Sequence, residues 1–125
     1  MRDIITREEA EIRLKSIFGL DHFYDEQWTA IERILRGERI LIIERTGFGK
    51  SLCYQFPATQ FEGVTVIFSP LIALMRDQVK SLCRRGISAA YINSEQSYEE
   101  NQETIRRALD NKIKILYIAP ERQES

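Results

Sequence analysis

The stretch Ile40-Leu41-Ile42-Ile43-Glu44-Arg45-Thr46-Gly47-Phe48-Gly49-Lys50-Ser51 decides the fold. Its first four residues are apolar without alternation, the pattern of a short strand buried on both faces in the middle of a parallel sheet. The strand is expected over Arg39 to Glu44, the loop over Arg45 to Gly49, and a helix from about Lys50 to Ala58. Gly47 and Gly49 lack a Cβ, so the backbone can take positive φ and bring its N–H groups up to phosphate oxygens. The helix that follows points its N-terminal N–H groups at the same anion. Lys50 adds a positive charge for the outer phosphates, and the Ser51 hydroxyl suits Mg²⁺. Thr46 to Ser51 is therefore expected to cradle a nucleoside triphosphate. The plainer reading, a glycine turn followed by an unrelated Lys-Ser pair, does not need the strand before it or the helix after it.

Working outward, helices and strands alternate. Thr6 with Glu9 forms a capping box that opens a helix running to about Phe18 and stopped by Gly19. Asp25 opens a second helix with Trp28, Ile31 and Leu35 on one face, Arg33 and Arg36 near its C-terminus, and Gly37 at its end. Val64 to Phe68 reads as a strand. Pro70 starts a helix with an apolar stripe of Leu71, Leu74, Met75, Val79, Leu82 and Cys83, ending at Arg84-Arg85-Gly86. Ser88 to Ile92 reads as a strand, Ser97 and Glu100 as the capping box of a polar helix reaching about Asn111, and Ile113 to Ile118 as a last strand cut by Pro120. Such alternation predicts an α/β fold of three layers, a parallel sheet flanked by helices. Right-handed crossovers would put the loops at Arg45, Ser69, Asn93 and Ala119 along one edge, where a site is to be sought.

Composition constrains function less. The 125 residues suffice for one domain, and 43% hydrophobic with 30% charged residues is ordinary for a soluble chain. No apolar run approaches the roughly 20 residues of a membrane helix, and Met1 to Thr6 has no signal-peptide core, so a cytoplasmic location is expected. Eighteen basic against nineteen acidic residues give a net charge of −1, so composition offers no argument for nucleic acid, although a local patch would suffice. Cys53 and Cys83 fit no metal spacing and are expected to be buried thiols. His22 is assigned no role, and the acidic run from Glu95 to Glu103 reads as a solvated face.

Residues Thr46 to Ala58, with the tail Leu52-Cys53-Tyr54-Gln55 and then Pro57-Ala58, resemble motif I of the RecQ-type DNA helicases of superfamily 2. Leu14, Phe18, Gly19, Phe23 and Gln27 have the spacing of that family's adenine-recognition motif. Ser69 to Val79 resembles its motif Ia, and Tyr117-Ile118-Ala119-Pro120-Glu121-Arg122 the segment before its acidic box. The resemblance implies a truncated, RecA-like P-loop NTPase fold: residues 1–37 would form N-terminal helices carrying the adenine motif, and 38–125 the first part of the ATP-binding domain. It implies ATP and Mg²⁺ as cofactors and single-stranded or duplex DNA as partner, in a bacterial cytoplasm or nucleoid. The implied activity is 3′–5′ unwinding in DNA repair and recombination. Gln27 would read adenine, with Phe18 and Tyr24 stacking on either side of the base. Thr46, Gly47, Phe48 and Gly49 would hold the phosphates, and Lys50 and Ser51 would act in catalysis, Ser51 as the Mg²⁺ ligand. Ser69, Asp77 and Gln78, extended by Asn93 and Ser94, would face DNA.

The chain also departs from the family pattern. Tyr24 stands where the family usually has Arg or Lys, which removes a cation–π contribution. Glu44-Arg45 replaces an apolar-Pro pair, and Phe48 replaces Gly or Ser, which could restrict nucleotide access. The family's Asp-Glu-x-His box does not occur, so the chain is expected to be an N-terminal fragment that binds ATP without hydrolysing it, with an incomplete sheet and an exposed apolar edge. Two alternatives stay open: a non-catalytic nucleotide- or DNA-binding module, and an RNA helicase of the same superfamily.

Overall fold

In a computed structural model, the structure describes residues 5–37, 51–68 and 72–119. The expected strand at Arg39 to Glu44 and the loop through Lys50 lie outside the described residues, as do Ser69 and the segment from Pro120 onward. The chain divides into two compact units, Met1–Gln60 and Phe61–Ser125. Packing thus groups the helix after the phosphate loop with the N-terminal helices.

The first unit contains α1 (Arg7–Phe18), α2 (Asp25–Leu35) and α3 (Leu52–Gln60). The local signals act as expected at α1. Thr6 accepts from the Glu9 N–H, Glu9 reaches back, and Gly19 takes φ 72°, a left-handed cap that costs a glycine little. Ala10, Leu14 and Phe18 recur every four residues and form the buried stripe of α1, while Ile31 and Leu35 form that of α2. Phe56 of α3, fully enclosed, joins the helices. Its ring lies 5.1 Å from that of Phe23, edge to face, and 6.5 Å from that of Phe18. Trp28 completes the cluster at 5.8 Å from Phe23.

The second unit contains β1 (Thr65–Phe68), α4 (Ile72–Arg84), β2 (Ala89–Ile92), α5 (Tyr98–Leu109) and β3 (Ile115–Ile118). The three strands are parallel in the order β1-β3-β2. The chain crosses from β1 to β2 in one direction and returns to β3 in the other. With crossovers of one hand, that path requires α4 and α5 to lie on opposite faces. The contacts agree. The Tyr117 hydroxyl of β3 bonds Gln78 of α4, whereas Leu116, its neighbour on the opposite face, clusters with Ala108 of α5. Ile115, Leu116 and Tyr117 are all buried, as a central strand covered by helices on both faces demands. The expected parallel sheet flanked by helices is thus present. Ser88 ties the strand starts together, accepting from the Lys114 N–H at 3.0 Å and donating to the Lys112 carbonyl at 2.8 Å.

Several expectations need correction. Cys53 is buried, but Cys83 is exposed, and so is Leu74. Met75, Val79 and Leu82 take the core face of α4, and a step of one residue turns about 100° around a helix, which carries both neighbours out of the contact. The Cys83 thiol instead approaches the Ala89 carbonyl at 3.5 Å. Glu95, Glu99, Glu100 and Glu103 are all exposed, the solvated face expected, but Glu95 precedes α5 and pairs with Arg76 at 2.9 Å. The polar helix ends at Leu109, with Asn111 left-handed at φ 60°.

Candidate nucleotide and DNA site

The residues expected to read a base flank the six-residue loop between α1 and α2: Phe18 ends α1, Tyr24 ends the loop and Gln27 lies in the first turn of α2. Tyr24 is the N-cap of α2, extended at φ −69° and ψ 153°. Its N–H donates to Gln27 Oε1 at 2.8 Å, so a side chain one turn into the helix reaches back over the helix start. Gln27 is buried at 8% exposure, whereas Tyr24 is 63% exposed. The amide is thus fixed from inside while the ring beside it faces solvent. Phe18 does not share that position. At 5% exposure, with its ring against Phe56, it serves the core, because it continues the Ala10-Leu14 stripe of α1. The expected stacking of Phe18 on a base is therefore not what its placement offers. Leu20, in the same loop and 47% exposed, was not singled out by the sequence, since one leucine in a polar loop carries no periodic signal.

Of the phosphate loop, Thr46, Gly47, Phe48, Gly49 and Lys50 lie outside the described residues. Ser51 is half-buried at the start of α3, and its carbonyl accepts from the Gln55 N–H at 2.9 Å, so the helix begins directly after the loop. The first turn of α3 carries no carboxylate, whereas those of α1, α2 and α5 carry two each. An anion at the start of α3 would meet helix N–H groups and no acidic side chain from that turn, which fits a triphosphate. Among the described residues no group of three or more His, Cys, Asp or Glu could hold a metal ion.

In the second unit the strands end in register at Phe68, Ile118 and Ile92, so the segments after them leave from one sheet edge. Asp77 is exposed on α4 and lines a groove of about 310 Å³ with Ala73, Arg76, Val79, Lys80 and Tyr91. Gln78 is half-buried, and its Oε1 accepts from the Tyr117 hydroxyl at 2.7 Å. Asn93 departs from its expected surface role. It is 3% exposed, its Oδ1 accepts from the Glu95 N–H at 2.9 Å, and its own carbonyl accepts from Asn101 Nδ2 at 3.1 Å. Its side chain builds the turn between β2 and α5 and does not face solvent.

The model of the DEAD/DEAH box helicases matches residues 24–125. The chain belongs to the DEAD/DEAH box helicase family. It is similar to "ATP-dependent DNA helicase RecQ" of Haemophilus influenzae, 43% identical over 119 residues, which are 95% of this chain and 19% of that protein. The protein of the same description from Pasteurella multocida is 45% identical over 109 residues, 87% of this chain and 17% of the relative. That from Bacillus subtilis is 44% identical over 117 residues, 93% and 20%. The chain thus spans about a fifth of the length of these curated relatives. No helix among the described residues of this helicase-family chain is long and apolar enough to cross a membrane.

Proposed function

We propose that this chain is the ATP-binding N-terminal part of a RecQ-type DNA helicase, which couples ATP hydrolysis to 3′–5′ unwinding of DNA. The observation that carries the reading is the 43% identity to a RecQ helicase across 95% of the chain. Thr46 to Ser51 bind the triphosphate, Lys50 neutralises its outer phosphates, and Ser51 holds Mg²⁺. Gln27 reads adenine, with the exposed faces of Tyr24 and Leu20 supplying the apolar platform beside it. Ser69 and Asp77 contact single-stranded DNA, and Gln78 orients that surface through Tyr117. The site works within a longer polypeptide, because metal-holding carboxylates and a second motor domain are needed to position water and neutralise charge at the transition state.

The test is unwinding of a 3′-tailed DNA duplex by the whole protein with ATP and Mg²⁺. Unwinding that Lys50→Ala abolishes is expected. A whole protein that binds ATP but opens no duplex would instead be the non-catalytic module that Glu44, Arg45 and Phe48 suggest.

A further inference from the structure

Ala73, Arg76, Asp77 and Lys80 follow one another at three and four residues and so lie in one row on α4. With Val79 and with Tyr91 of β2 they line the groove of about 310 Å³. Tyr91 is in register with Tyr117, whose hydroxyl meets α4, so both rings stand on the same face of the sheet. The turn after β2 brings one more charge to this groove. Glu95 accepts from Arg76 Nη2 with both carboxylate oxygens, at 2.9 and 3.2 Å. Its place is built from inside. The Glu95 N–H donates to Oδ1 of the buried Asn93 at 2.9 Å, and the Asn93 carbonyl accepts from Asn101 of α5 at 3.1 Å. Asn93 Nδ2 lies 4.0 Å from the sulfur of Met75, the residue before Arg76. The paired side chains are 48% exposed at Arg76 and 54% at Glu95, so the pair costs little to open.

We propose that Glu95 is a latch on this groove, occupying Arg76 until a phosphate of single-stranded DNA takes its place. The inference rests on the reading that α4 faces DNA. The row on α4 carries Arg76 and Lys80 against Asp77, and Glu95 cancels the positive charge left over. While Glu95 is in place, the groove has no net attraction for a polyanion. A phosphate that displaces it gives Arg76 one pair of anionic oxygens for another, and Lys80, one turn further along the row, stands on the same side of the helix. The exchange breaks one exposed ion pair, a small cost, and releases counterions held by the strand. With a charge of −1 on the whole chain, attraction of a strand depends on such local terms. Asn93 then serves DNA binding without touching DNA, because from inside the turn it sets Glu95 opposite Arg76.

The test measures the affinity of the full chain for a labelled oligothymidylate across a range of salt concentrations. Glu95→Gln should bind about threefold to fivefold tighter than the parent chain, the scale of an exposed ion pair that no longer has to be broken. Arg76→Met should flatten the slope of log affinity against log salt by about 0.7, the value of one phosphate contact on a single strand. In the Arg76→Met background Glu95→Gln should bring no tightening, whereas in the Lys80→Met background the tightening should persist. Glu99→Gln, which removes the same charge from an exposed site on α5, should leave affinity unchanged. All four residues are exposed, so the variants should melt with the parent chain. The proposal is overturned if Glu95→Gln does not tighten binding, if its tightening survives Arg76→Met, or if Glu99→Gln matches it. Binding that none of these variants alters removes the latch and leaves the DNA reading of α4 standing. No binding by the parent chain or by any variant removes both.

Discussion

Single side chains set both the local geometry and its response to pH. The Glu11 carboxyl is held below the usual carboxylate range, first by the Phe23 N–H it accepts and then by His22 and Arg7, with burial opposing. Asp21 is lowered by Lys15 in the same way. A carboxylate whose pKa falls on folding adds stability above its unfolded value, and that stability is lost as pH drops through the folded one. Thermal midpoints of the chain should therefore fall as pH goes below about 4, the ordinary carboxylate value. Glu11→Gln, which does not titrate, should show a shallower acid limb, and identical limbs would exclude Glu11 as a contributor. At this scale the caps were legible in the sequence, because Thr6-Glu9, Gly19 and Ser97-Glu100 act over three or four residues. The roles of Phe18 and Asn93 were not. An aromatic ring looks the same in a sequence whether it completes a core stripe or faces a ligand. An asparagine after a strand looks the same whether it builds the turn or faces solvent.

At the scale of elements, α3 joins the phosphate loop to the core of the first unit. Phe56 anchors it between Phe18 and Phe23 with no exposure. Phe56→Ala should cost about 3–5 kcal/mol, the usual range for emptying an aromatic site, read as a lower urea midpoint of the chain. A loss under about 1 kcal/mol would mean that α3 is held by something else. Every helix and strand among the described residues was legible from hydrophobic period and turn residues, with ends shifted by a residue or two. Strand order was not. The insertion of β3 between β1 and β2 is a pairing between distant segments, and the pattern of one strand does not name its neighbours. The exposure of Cys83 was missed because an apolar stripe drawn by eye is wider than the face that α4 buries.

For the whole molecule, the central claim is that this chain holds ATP through Thr46 to Ser51 and Gln27. The resemblance carried in the sequence by Leu52-Cys53-Tyr54-Gln55 and Ser69 to Val79 agrees with the family to which the chain belongs. Motif residues are consecutive, so they can be read directly. The hold of Arg7 and Glu11 on the Phe23 backbone could not be, since the partners stand 12 to 16 residues apart. A ligand that binds only the folded chain raises its stability by an amount that grows with the logarithm of concentration over Kd. The direct measurement is the thermal midpoint of the chain and of Lys50→Ala with increasing ATP and Mg²⁺. The account predicts a rising midpoint for the parent chain, larger with ATP than with GTP, and none for Lys50→Ala. Equal shifts in the two proteins would contradict it.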